Sequence, residues 1–148
     1  MRKMTQSRHS QAAARPVGGA AKKAGVASLR LLVQAVRAGL SASEVRAFID
    51  SSHLDRERVL QVVSVSKRTL ERRAAKTLSP EQSDRLARLR RIYDLAADTI
   101  GDRDRARLWL QAPSRALDGS APLDLLDTDA GSRLVEDTLI RISDGAFA

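Results

Sequence analysis

Between Ser79 and Gly101 the chain is punctuated at both ends and uninterrupted within. Ser79 is an N-cap residue, Pro80 takes the first helical position, where a missing N–H costs nothing, and Gln82 stands where it reaches back to the cap. Gly101 is the residue type that ends a helix in the left-handed conformation. Inside this frame Leu86, Leu89, Tyr93, Ala96 and Ile100 alternate spacings of three and four, so they share one face. At about 1.5–3 kcal/mol for each large apolar side chain fully buried, such a seam anchors either a core or a dimer. A chain built around it must supply other helices to cover it.

The same punctuation recurs on both sides. Leu29, Leu32, Val33 and Val36 fall at i, i+3, i+4 and i+7 and predict a buried helix face from Ser28 to a stop at Gly39. Ser41 and Glu44 form a capping box before Val45, Phe48 and Ile49, and this second helix ends near Ser51. Asp55 caps a third, short helix with Val59, Leu60, Val62 and Val63; Ser64 interrupts it and Ser66 caps a fourth. Beyond Gly101, Asp102 caps a helix through Leu108, Trp109 and Leu110 that stops near Pro113, because the residue before proline is pushed away from α geometry. A loop, "SRALDGSA", follows, and Pro122 opens a single turn, "PLDLL". The last helix runs from about Asp129 to Ser143, capped at its start by Asp127 or Thr128 and at its end by Gly145, and is expected to bury Leu134, Val135, Leu139 and Ile142. Trp109, between two leucines on a short helix, reads as core rather than interface.

No alternating β-branched run bounded by turn residues occurs, so the expected fold class is all-α. Aromatics are only 3% of the residues, which leaves Leu, Val, Ile and Ala to pack the core, as in a helical bundle.

Several chemistries are disfavoured by residue type. Without cysteine there is neither a disulfide framework nor a thiolate zinc site, and His9 and His53 have no partners that form a catalytic set. Asp124, Asp127, Asp129 and Gly131 resemble a calcium loop in composition, but counting from Asp127 puts Ser132 and Thr138 where an EF-hand needs glycine and a bidentate glutamate. There is no glycine-rich phosphate cradle. The expectation is a protein without metal, cofactor or catalytic activity. No apolar run approaches the roughly 20 residues that span a bilayer, which fits a cytoplasmic protein.

Charge is distributed unevenly. Up to Leu78 the chain holds 16 Lys or Arg and 5 Asp or Glu, a net +11; the rest holds 10 and 13, a net −3, together the overall +8. A basic half joined to a mildly acidic half implies two partners of different charge. Residues 1–43 contain no acid; they bear a slight likeness to an organellar transit peptide, and the preferred reading of residues 1–27 is a flexible basic arm.

The densest basic stretch is "VSKRTLERRAAK", Val65 to Lys76. Following a short helix and a tight turn, it has the parts of a helix-turn-helix recognition helix, which enters the major groove and reads base edges from its first residues. Leu70 and Ala74 would pack inward with Val65 in the turn, and Lys67, Arg68, Glu71 and Arg72 would share the exposed side. Ser66 and Thr69 can donate to phosphates, as can Arg73. One departure stands out: Ser64 occupies the turn position where glycine is more comfortable. The competing reading is a solvated basic helix in a purely structural bundle. The acid-free arm favours DNA, and the scarcity of aromatic stacking platforms favours duplex over single strands.

The segment from Gly101 to the end carries Gly101, Ala106, Trp109, Leu110, Pro113, Ala116, Leu117, Gly119, Pro122, Leu123, Asp124, Leu125, Leu126, Thr128, Gly131, Val135, Leu139, Ile142 and Gly145 in an order and spacing that resemble the C-terminal domain of Xre-type antitoxins. These are the ParS- and MbcA-like partners of RES-domain toxins. Thr69 to Leu95 resembles the family's link to that domain, so the likeness covers roughly residues 29–148. The resemblance implies Xre-like helices that bind the operon's own promoter, over residues 28–78, and a domain that neutralises a cognate toxin and oligomerises, over residues 79–148. It implies toxins similar to ADP-ribosyltransferases whose NAD site the antitoxin obstructs, a homodimer within a larger hetero-oligomer, and no catalysis by the antitoxin itself.

The residues suggest where such a toxin would be met. Gly119 and Pro122 stiffen the connection that carries Leu117, Leu123 and Asp124, and a defined loop loses less entropy on binding. Phe147 and Ala148 lie beyond the Gly145 cap, where an apolar tail either finds a groove on a partner or folds back on its own domain. The alternative to an antitoxin is a stand-alone helix-turn-helix regulator whose C-terminal domain only dimerises it.

Overall fold

The cap residues set the helix boundaries. A computed structural model describes the backbone of residues 18–72 and 76–145, with the side chains from Gly25 to Glu71 and from Lys76 to Gly145. Among the described residues the elements are α1 (Gly18–Ala38), α2 (Ala42–Ser52), α3 (Arg56–Val63), α4 (Lys67–Arg72), α5 (Pro80–Ile100), α6 (Arg103–Gln111), the single 3-10 turns η1 (Arg115–Leu117) and η2 (Pro122–Leu125), and α7 (Asp129–Ser143). The architecture is all-α. The side chains of Asp55, Ser79, Asp102 and Thr128 each accept a backbone N–H of the helix they open, from Arg58, Gln82, Arg105 and Gly131 at 2.9, 3.1, 2.7 and 3.0 Å. Gln82 returns a bond to the Ser79 N–H at 3.1 Å, and the Glu44 carboxylate accepts the Ser41 N–H at 2.8 Å. Of the two candidate caps for α7, Thr128 makes the bond.

Helix α5 is the centre of the core. Leu86, Leu89, Tyr93 and Ala96 are buried as their spacing predicts, and so are Ser83, Ile92 and Ala97. The covered face is wider than one stripe because α3, α6 and α7 all pack against the same helix. Phe48 of α2 meets the Tyr93 ring edge-on, with centroids 5.8 Å apart, and the Arg90 guanidinium donates to the Glu44 carbonyl at 3.1 Å. The seam therefore serves a core.

The chain between α1 and α2 is tied to the chain entering α5. The Ala42 N–H donates to the Lys76 carbonyl and the Leu78 N–H to the Leu40 carbonyl, both at 2.8 Å, around a single antiparallel bridge between Ser41 and Thr77. The buried Leu40 N–H donates to Ser83 Oγ on α5 at 2.9 Å, which accounts for a hydroxyl inside an apolar core. Gly39 is required beside this lock for two reasons. Its φ is +91°, and a Cβ there would stand 2.4 Å from Thr77 Cγ2 and 2.6 Å from the Leu78 carbonyl oxygen.

Two expectations about burial are corrected. The α1 periodicity is present, but Leu29, Leu32 and Val33 are 62%, 43% and 47% exposed. Leu134, expected inside α7, is 44% exposed, while Thr138 and Ser132 are buried with their hydroxyls donating to the Leu134 and Thr128 carbonyls at 2.8 and 2.9 Å. Periodicity reports that a helix is two-faced; it does not say that a neighbour covers the apolar face. Helix α1 also begins ahead of the expected Ser28, at Gly18, so residues 18–27 are helical, and the rest of the expected arm, residues 1–17, lies outside the described residues. Among the described residues no helix is long and apolar enough to cross a membrane.

Gly39→Ala should destabilise the fold by about 2–4 kcal/mol, the sum of left-handed strain and a backbone clash. Urea unfolding followed by circular dichroism measures it; a loss under 0.5 kcal/mol would show that the lock tolerates a side chain.

Candidate functional site

Helices α3 and α4 make a helix-turn-helix unit. Ser64 ends α3 in the left-handed region at φ 61° and ψ 43°, so the turn falls where the sequence places it and uses serine where glycine is the easier residue. The turn is held from two sides: the Val65 N–H donates to the Leu60 carbonyl at 2.9 Å, and Gln82 Nε2 at the start of α5 donates to the Ser64 carbonyl at 2.7 Å. Leu70 and Val65 are buried as expected, and the Arg46 guanidinium of α2 donates to the Leu70 carbonyl. Ala74 lies outside the described residues.

The outer side of this unit carries the sequence's DNA candidates in unequal states. Lys67 is ion-paired with Glu57, and Glu71 pairs with Arg56 at 3.4 Å, so two bridges clip α4 onto α3. All four side chains are at least 48% exposed, and pairs of that kind contribute only about 0–1 kcal/mol, so a phosphate can displace Glu57 from Lys67 at little cost. The Ser66 and Thr69 hydroxyls bond to each other at 2.9 Å, and Ser66 Oγ also accepts the Thr69 N–H at 3.1 Å, so both are engaged locally. Arg68 is exposed. The side chains of Arg72 and Arg73 lie outside the described residues.

On the C-terminal side the loop after α6 is a closed structure. The Ser114 N–H donates to the Ser120 carbonyl at 3.0 Å and the Gly119 N–H returns to the Ser114 carbonyl at 2.9 Å. Asp118 and Gly119 both take positive φ, 52° and 83°, to turn the chain back. Turn η2 then packs under α7: a Cβ on Gly131 would lie 2.0 Å from the Leu125 carbonyl oxygen, so only glycine allows that approach.

The candidate toxin contacts separate by burial. Leu117, Pro122 and Leu123 are buried and hold the loop's shape. Gly119, Asp124 and Gly145 are exposed, and Phe147 and Ala148 lie outside the described residues. Trp109 is half-buried, packed against the core rather than within it. Leu108 and Ile140, which no sequence pattern marked as surface residues, are 57% and 54% exposed.

Sequence reasoning missed the joint between the two halves. Arg58 on α3 donates through Nε to Asp124 Oδ1 at 2.8 Å, with Nη2 at the same distance, and through Nη1 to the Gln111 carbonyl at 3.1 Å. The Gln111 side chain in turn accepts the Asp55 N–H at 2.8 Å. No local signal marks Arg58 or Gln111, because their partners are more than fifty residues away in the chain.

The helix-turn-helix unit thus rests on a helix that continues into a second set of helices carrying a closed loop. Residues 31–91 match the antitoxin Xre-like helix-turn-helix domain, and residues 95–145 match the antitoxin Xre/MbcA/ParS C-terminal toxin-binding domain. The chain is 32% identical to antitoxin Xre of Yersinia enterocolitica over 80% of its own length and 82% of that protein's. It is also 32% identical to the Prs ADP-ribosylating antitoxin of a Sphingobium species, over 76% and 78% of the two lengths. The crystal structure of the MbcT–MbcA toxin–antitoxin complex of Mycobacterium tuberculosis contains a chain of similar fold, with a TM-score of 0.55 and 28% identity, covering 72% of this chain and 96% of that one. The chain belongs to the Xre/MbcA/ParS family of antitoxins.

Ser64→Gly should stabilise the protein by about 0.5–1 kcal/mol, since relief of left-handed strain exceeds the entropy glycine adds to the unfolded chain. A rise in thermal midpoint checks this; a fall would mean that the serine side chain itself holds the turn.

Proposed function

We propose that this antitoxin neutralises a cognate RES-domain toxin by obstructing its NAD site and represses its own operon by binding promoter DNA. The observation that carries the reading is the presence of both family domains in one chain, meeting within α5. An NAD-using toxin is supported by the name of the Sphingobium relative, which pairs an antitoxin with ADP-ribosylation.

The chemistry on each side fits its partner. Exposed Gly119 sits on a loop closed by its own hydrogen bonds and exposed Asp124 on the η2 turn that follows it, so little entropy is lost when a protein surface closes over them. Phe147 and Ala148, which follow Gly145 in the sequence, supply apolar side chains of a kind that a groove on a partner takes. On the DNA side Lys67 and Arg68, with Arg72 and Arg73, supply cations next to the base-reading positions of α4, and Ser66 and Thr69 exchange their mutual bond for phosphate oxygens. A homodimer within the larger toxin complex would present two such helices to two half-sites about one DNA turn apart. Work of this kind belongs to the cytoplasm, at the nucleoid when promoter-bound.

Co-expression with the toxin encoded beside it should restore growth and cellular NAD and yield a stable complex. Persistent toxicity with no complex would overturn the antitoxin mechanism. Promoter affinity should fall with salt by about 0.9 log units per log unit for each phosphate neutralised, and Arg68→Ala should weaken it while protection persists. A flat salt response would remove duplex binding.

Removal of residues 145–148 should do the reverse, lowering protection while promoter binding persists. Full protection by the truncated protein would exclude the tail from the inhibitory contact.

A further inference from the structure

Helix α4, the candidate DNA-reading helix, is only six residues long. Fewer than two turns do not fix their own direction, so α4 points where its surroundings hold it. Among its described side chains only Leu70 is buried, with Val65 buried in the turn ahead of it, while Lys67, Arg68 and Glu71 are exposed. A short helix seated on one leucine can pivot about it. Polar contacts are what oppose the pivot.

Two kinds of polar contact meet α4 and its turn. The Lys67–Glu57 and Arg56–Glu71 pairs are exposed, and phosphate oxygens compete for the same cations. The others end on backbone carbonyls. Arg46 of α2 donates to the Leu70 carbonyl, and Gln82 Nε2 of α5 donates to the Ser64 carbonyl at 2.7 Å. Ser64 is the left-handed residue at which the chain changes direction between α3 and α4, so this bond restrains the peptide plane on which that change turns.

The first turn of α5 orients the Gln82 amide for this contact. Its Oε1 accepts the Ser79 N–H at 3.1 Å, which completes the capping box and leaves Nε2 facing the turn. Only one orientation of the amide sets its oxygen against an N–H and its nitrogen against a carbonyl. A capping box needs only the acceptor, which glutamate supplies as well as glutamine does. The donor is what glutamine adds, and here it reaches the Ser64 carbonyl.

We propose that Gln82 is a positioning residue for DNA reading: by holding the Ser64–Val65 peptide it sets the direction in which α4 meets the promoter. The inference rests on the repressor reading given above. Hydrogen bonds to base edges are lost when a side chain is misaimed, whereas attraction to phosphates depends little on direction. Loss of the Gln82 donor therefore lowers discrimination between sequences and leaves non-specific affinity in place.

The test uses the full chain and two fluorescent duplexes, the operon's promoter fragment and a shuffled sequence of the same length and composition. Dissociation constants are measured by anisotropy at one salt concentration, and their ratio gives the preference for the promoter. Gln82→Glu keeps the box acceptor and removes the donor; Gln82→Met keeps a similar length, removes both and adds no charge. In each variant the preference should fall by about threefold to tenfold, as for one hydrogen bond. The thermal midpoint of Gln82→Glu should stay within about 2 °C of the natural protein's, because its cap is intact. A preference unchanged in Gln82→Glu overturns the assignment, since the donor is then dispensable. One unchanged in Gln82→Met overturns it too, since the loss then belongs to the introduced charge, and a midpoint of Gln82→Glu that falls further than this makes the effect one of folding and overturns it likewise. A natural protein that binds both duplexes alike overturns the repressor reading, and the positioning role with it.

Discussion

Burial of α5 on several sides is the constraint on which the rest depends. A helix covered along one stripe can slide or tilt; one that places Leu86, Leu89, Ile92, Tyr93 and Ala96 against several neighbours at once cannot. Every functional feature is referenced to it. Gln82 at its first turn holds the Ser64 carbonyl of the helix-turn-helix, and Ser83 holds the Leu40 N–H at the entrance to α2. Tyr93 packs on Phe48, and α6 and α7 pack on the same helix, with the η1 and η2 turns between them in the chain.

This placement explains why the two family domains are not joined by a linker. Their matches end at residue 91 and resume at residue 95, in the middle of a continuous helix. A rigid α-helical joint transmits position in a way that a flexible connection does not, and the Arg58 grip adds a second tie on the opposite side of the loop. The division of charge runs across this joint: the basic surplus lies before α5, and the acids that offset it lie on and beyond it. Two regions of opposite net charge thus share one core in this chain.

The candidate sites were legible to different depths. Lys67 and Arg68 could be placed on the outer side of a short helix because Val65 and Leu70 defined its inner side. That Lys67 spends its charge on Glu57, and that Ser66 and Thr69 satisfy each other, depends on rotamers and on how α3 and α4 cross, which spacing does not encode. Leu117, Pro122 and Leu123 fit a family motif, and their burial, which the motif does not state, shows that they serve the loop's internal packing. Arg58 has no signature in the sequence, since an arginine in the first turn of a short amphipathic helix looks the same whether it faces water or a carboxylate sixty-six residues away.

What the chain determined by itself were its helices and their ends, because caps, proline at the first turn and left-handed glycine act through bonds between residues a few positions apart. Ser79, Asp102 and Gly101 needed no tertiary context to be assigned. Only the tertiary structure decided which apolar faces are covered, which charges are already paired, and that α3 holds η2 and the end of α6. Those outcomes depend on which helices meet, and a contact between distant segments is set by the summed packing of the whole core rather than by any local pattern.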